Sequence, residues 1–350
     1  MKKRSLLTIS TLAVLMILMN LFVSWKNIPV SVNSSDIRQS VNESFLLLEK
    51  SGYLFTVRSR LKCAGCHHTT LTSMVAGSAR EKGIPVIDSF SDKRVVAMIR
   101  NLQLASNPNL VDQFLSINFN APYTLVGLYA ENYPPSIFTD ISVDYTISQA
   151  KADGSFLAES GRVPLESGDI HCTAFSIHSI QLYAAPSKKV RVDALVARTR
   201  HWLETQNPDQ QQEIVFQLLG MQWCGSSHDQ KLPVAQKLYG MQHVDGGWSQ
   251  LTTLGSDAYA TGQALYALCE SGMVKPSDEV YQRGMNYLLK TQDPTGAWFV
   301  QTRSYGIQPF FSSDFPPGDE NQFISAAATN WADLALLEAL PYKVKSKSSD

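Results

Sequence analysis

Three things are scarce in this 350-residue chain, and each scarcity excludes something. Net charge is nearly absent, with 30 basic residues against 31 acidic ones. No basic stripe of the kind that binds nucleic acid is present, and no acidic tail. Cysteine is sparse: Cys63, Cys66, Cys172, Cys224 and Cys269. An odd, small set in a chain of this length is not a disulfide-built scaffold. Strand-like alternation is also rare, which turns attention to helices.

The first residues stand apart. Lys2, Lys3 and Arg4 precede Ser5–Trp25, a run without charge and rich in Leu, Ile, Val and Met. A basic start before an apolar run of this length, about that of a membrane-spanning helix, predicts a signal peptide or signal anchor over 1–25. The positive-inside rule then places the remainder outside the cytoplasm, periplasmic or otherwise, with an attachment to the inner membrane if the segment is uncleaved. A polar linker over 26–37 follows, a helical domain over 38–342, and a polar tail over 343–350.

The domain repeats. Gln242, Asp245, Gly246 and Trp248 form a Gln-x-x-Asp-Gly-x-Trp sequence. Fifty residues later Gln292, Thr295, Gly296 and Trp298 repeat it with Thr for Asp. Asp153, Gly154 and Phe156 are a weaker copy. Each copy follows one helical pattern and precedes another that is richer in small residues. Carried along the chain, this rhythm predicts six helix pairs. The first members lie near 38–51, 91–105, 138–150, 190–206, 231–241 and 278–291. Their partners lie near 66–82, 121–131, 171–184, 212–224, 258–271 and 325–340. The partners are poorer in charge, the composition of helices buried on most sides. Six hairpins, each with one buried helix, predict a closed ring, because closure buries every apolar face without capping repeats.

These copies resemble the QW repeats of squalene and hopene cyclases and their relatives among protein prenyltransferase β-subunits. Gly255–Tyr266 and Gln322–Trp331 resemble a bacterial branch of that superfamily. The resemblance is sharpest over 230–340 and extends back to about 45. It implies an all-α (α/α)6 toroid with a central cavity, and it implies structural roles for Gln242, Trp248, Gln292 and Trp298. The family's catalytic marks are missing. Cyclases protonate an alkene with a DxDD motif, which needs an unusually acidic carboxyl in a dry cavity; none occurs here. Where prenyltransferases place a zinc-binding His, this chain has Ala260.

One motif carries chemistry of its own. Cys63, Cys66 and His67 form a CxxCH sequence, followed by His68. Two thiols at this spacing can join covalent haem c, with His67 as axial ligand. The alternatives are a metal ion held by the cysteines with His67 or His68, a CxxC redox or disulfide pair, and plain packing at a helix start. In a closed ring all inner helices run the same way, so their starts share one rim. His171, Cys172, Asp257 and Tyr259 fall there as candidate ligand-binding residues. Packing is the competing reading for His171 and Cys172, and an N-cap for Asp257. Tyr123, Tyr129, Tyr133, Tyr145, Phe175, Tyr266, Phe310, Phe311, Phe315 and Phe323 add aromatics near the inner helices, able to line a cavity for an isoprenoid or to fill the core. The sequence thus points to an exported toroid with a rim site at CxxCH. Its function is a haem-binding redox role with a redox partner, or the binding or conversion of a small apolar ligand.

Overall fold

The computed structural model describes residues 31–59, 62, 64–105, 117–158, 162–304 and 312–343. The signal or anchor segment, Cys63, Phe310, Phe311 and the tail beyond 343 lie outside the described residues. No described helix is long and apolar enough to cross a membrane.

Among the described residues, twelve α-helices form six hairpins. The outer members are α1 (Ser34–Arg58), α3 (Asp88–Ala105), α5 (Ile137–Ser148), α7 (Lys189–Thr205), α9 (His228–Tyr239) and α11 (Glu279–Thr291). The inner members are α2 (Leu71–Lys82), α4 (Ile117–Ala130), α6 (Asp169–Tyr183), α8 (Gln211–Trp223), α10 (Ala258–Glu270) and α12 (Gln322–Glu338). A π-turn, Cys66–Thr70, leads into α2. Each inner helix packs on the next, and α12 packs back on α2 and α1. The ring is closed. All six predicted pairs are present, but α1 starts earlier than expected and takes in residues 34–37 of the predicted linker. Asn33 caps it by accepting the Ser35 N–H.

Local chemistry sets the helix starts. Ser136 with Thr139 and Ser227 with Gln230 form reciprocal capping boxes at α5 and α9. Asp257 caps α10 through the Ala260 N–H. Inner helices are buried nearly all round; on α12 every residue from Ile324 to Leu337 is buried. That is why their sequences carry so little charge.

The repeat residues do the joining. The Trp248 indole donates to the Leu238 carbonyl at the end of α9 (2.8 Å), and the Trp298 indole to Leu288 at the end of α11 (2.9 Å). Each Trp thus adds a donor to a last-turn carbonyl of its outer helix, which also accepts a backbone N–H from the turn that follows. Each Gln reaches onward: Gln242 donates to Val280 on α11, and Gln292 donates to Ser40 on α1. The weak copy has the same turn. Phe156, Trp248 and Trp298 each donate a backbone N–H to a threonine hydroxyl on the following inner helix, Thr173, Thr261 and Thr329. The glycines are needed where the turn meets the next outer helix. Gly246 has φ of 92°, and a Cβ there would stand 2.5 Å from the Arg283 carbonyl.

Gln292 is therefore a ring closer, bonded across the seam between the last hairpin and the first. Gln292→Leu leaves the Ser40 and Gly296 carbonyls without this donor. We expect a loss of about 1–3 kcal/mol in urea unfolding; an unchanged midpoint would contradict the closure role.

Candidate functional site

The inner helices start at one rim, and the residues there come together. A pocket of about 330 Å³ opens between the starts of α6, α8 and α10. Its walls are Val163, Pro164, Ser167 and Gly168 before α6, Gln210, Gln212 and Glu213 on α8, Tyr259 on α10, and Gln250 and Arg303 from loops. The volume is at the low end of small-molecule sites.

A hydrogen-bonded chain lies behind the pocket. The Tyr259 hydroxyl donates to Gln212 Oε1 (2.8 Å), and Gln212 Nε2 donates to the Pro164 carbonyl (2.7 Å). His171 lies deeper, 2.8 Å from the Tyr123 hydroxyl through Nε2 and 3.3 Å from the Ser167 carbonyl through Nδ1. It stacks on Phe216 with ring centroids 3.9 Å apart. Tyr123 stacks on Phe175 at 4.1 Å, and Phe216 and Tyr266 both meet Trp331. These rings pack on one another; of the aromatics named from the sequence, Tyr123, Phe175 and Phe315 are core, Tyr129 is exposed and Tyr259 lines the pocket.

Two carboxyls at the rim are weak acids. Burial pushes Glu213 up to about 7, against the opposing effect of the backbone N–H groups of Ile170 and His171. Its oxygens lie so close to Gly168 that a Cβ there would collide with them. Burial likewise pushes Asp257 up to about 6. Asp257 also accepts from Gln250, whose carbonyl accepts from Arg303 Nε at 2.8 Å.

The CxxCH segment divides by residue. Cys66 opens the π-turn, which places the two histidines differently. His68 is committed: its Nε2 lies 2.9 Å from the Ser313 hydroxyl, and its ring stacks on Phe55. It fastens the segment before α12 to the first hairpin and is not available to a metal. His67 is buried, edge-on to Tyr123 at 5.9 Å, with Nε2 4.0 Å from the Glu166 carboxylate. Neither of its ring nitrogens has a hydrogen-bond partner among the described residues. Burial, then the Arg162 charge, lowers its pKa to about 3, so it is neutral. His67 thus packs against Glu166 and Tyr123, and the haem reading also needs Cys63, which lies outside the described residues. Gly65 lies against the Phe55 ring, 2.8 Å from where its Cβ would be. Among the described residues no group of three or more His, Cys, Asp or Glu is placed to hold a metal ion.

The other rim residues have local roles too. Cys172 is fully buried and its thiol donates to the Asn118 carbonyl (3.5 Å). Pro122 has no N–H to bond that carbonyl, so the thiol takes its place. Asp257 is both an N-cap and a neighbour of the pocket. Tyr259 is a pocket wall. Sequence reasoning missed Gln212, Glu213, Gln250 and Arg303. No local motif marks them, because they meet only when three hairpins and a loop converge.

No protein-family profile and no curated protein matches the chain. Solved structures do. The type II terpene cyclase MstE from Scytonema, in its apo form, superposes with a TM-score of 0.60 at 12% identity, over 89% of this chain and 99% of that one. MstE D109N in complex with geranylgeranyl dihydroxybenzoate gives 0.58 over 88% and 98%, again at 12% identity. A protein from Actinoplanes gives 0.54 at 11% identity, over 85% and 100%. The fold is the terpenoid cyclase-like α/α toroid. At such identities the toroid shares architecture with these proteins, and its site must be argued from its own residues.

Two measurements check this site. His68→Ala removes a buried ring and its bond to Ser313, and we expect a loss of about 2–4 kcal/mol in unfolding. Retained stability would mean that the seam does not depend on it. Glu213 binds its proton more tightly folded than unfolded, where its ordinary value is 4.5. Its contribution is therefore greatest below about pH 4.5 and is lost as the pH rises to about 7. Glu213→Gln should reduce the stability lost between pH 5 and pH 8, by up to about 3 kcal/mol. Identical pH profiles for the two proteins would refute the shift.

Proposed function

We propose that this toroid is a binding protein for a small, largely apolar ligand of the isoprenoid class, taken up at the rim pocket. The pocket at the shared start of the inner helices carries this reading. Val163, Pro164 and the Tyr259 ring offer apolar surface, and Gln210, Glu213 and Arg303 offer polar contacts at the same opening. An amphiphile with an apolar body and a polar head matches such a wall. The fold supports it as well: MstE, of the same architecture, has been solved with geranylgeranyl dihydroxybenzoate and with merosterolic acid A.

Binding is favoured over cyclisation for a physical reason. Protonating an alkene needs a strong acid, and the rim carboxyls Glu213 and Asp257 are weaker acids than ordinary carboxyls. They suit hydrogen bonding and proton exchange with oxygen, not carbon. The basic and then charge-free N-terminal segment supports placing the toroid outside the cytoplasm, released or anchored.

The test is direct. Solvent extraction of the purified full chain, followed by mass spectrometry, should yield an isoprenoid or similarly apolar compound. Added farnesol should raise the melting temperature. A chain that carries no such compound and shows no shift with farnesol or geranylgeraniol would overturn the reading.

A further inference from the structure

The rim pocket contains an arginine, Arg303, that forms no ion pair with a described residue. Arg303 is partly buried, and its Nε donates to Gln250 Oε1, a neutral amide. The same amide donates through Nε2 to Asp257 (3.0 Å), which is itself held as the cap of α10. The chain Asp257–Gln250–Arg303 therefore aims the guanidinium fork while keeping the carboxylate one side chain away. Nη1 and Nη2 hydrogen-bond to no described residue. Burial lowers the Arg303 pKa, and the Tyr259 and Asp257 neighbours oppose that shift. A guanidinium in water needs no partner, but one drawn into a pocket wall gains most from a planar anion that takes both terminal nitrogens.

We propose that the polar head of the ligand is a carboxylate, received by the Nη1–Nη2 fork of Arg303 in the rim pocket. This rests on the small-ligand reading above and names its chemistry. A carboxylate matches the planar fork with two parallel hydrogen bonds, and its single charge is balanced by one arginine. A phosphate or diphosphate fits less well, because Glu213 lines the same pocket and would oppose a second negative charge. Gln210, exposed at the start of α8, adds an amide on the far wall. Gln250 positions the fork through its bond to Arg303 Nε.

Calorimetric titration of the full chain with farnesoic acid and farnesol compares heads on one apolar body. The acid should bind about tenfold or more tightly, the difference made by one charge-assisted pair. Arg303→Gln should remove that difference, bringing the acid down to the affinity of the alcohol. Gln250→Leu should weaken the acid more than the alcohol, since it frees the fork from its support. Melting curves of each variant show that it is folded. Equal affinities of acid and alcohol, or an acid preference that survives Arg303→Gln, would overturn the carboxylate and leave the isoprenoid reading standing. Tighter binding of farnesyl diphosphate than of farnesoic acid would also overturn it. Sodium benzoate separates the remaining case. Benzoate binding that needs Arg303, without farnesol binding, supports the head-group site and sinks the isoprenoid body; no binding of any probe sinks both.

Discussion

The whole structure depends on one seam, where a chain of six hairpins meets its own beginning. Hydrogen bonds between residues far apart in sequence cross it. Ser44 donates to Asp333 at 2.6 Å, Asn330 donates to the His67 carbonyl at 2.9 Å, and Gln292 donates to Ser40 at 3.0 Å. Burial holds Asp333 well above the ordinary carboxyl range, so it sits in the seam as a neutral acid. An open stack of hairpins would expose an apolar helix face at each end. Closure removes both ends, and it is what leaves α12 almost wholly buried.

Closure also makes the site. Inner helices that run the same way around a ring bring six starts to one rim. Each start has unpaired N–H groups, and polar side chains gather there to meet them. Glu213 of α8 bonds to the start of α6, and Asp257 caps its own helix. The same residues that finish the helices therefore line the pocket. Their raised pKa values follow from this double duty, since a cap at the rim of a buried ring is cut off from water. His67 is the exception. It is buried and neutral, and neither ring nitrogen hydrogen-bonds to a described residue, which costs about 1–3 kcal/mol.

The two histidines of the CxxCH segment have different surroundings. Its spacing matches haem attachment, a reading that also needs Cys63, outside the described residues. Phe55 and Ser313 hold His68, and Tyr123 and Glu166 face His67. His68 becomes part of the seam, and Gly65 makes room for a phenylalanine ring.

Much of the architecture was legible in the residues. The 50-residue phase of Gln242–Trp248 and Gln292–Trp298 showed a repeated hairpin, and the low charge of alternate helices showed which members are inside. Both are local or periodic properties, fixed by the need to bury apolar faces and to satisfy helix ends. The degenerate copy at Asp153–Phe156 was also recognisable, because its turn keeps the glycine. The pocket was not legible. Arg303, Gln250 and Glu213 lie in unremarkable local sequence, and their chemistry arises from neighbours brought from 40 to 90 residues away. Charge, burial and free hydrogen-bonding capacity at a rim are properties of the assembled ring. The sequence by itself determined that there would be a ring; only its closure decided which side chains share a pocket and what that pocket can hold.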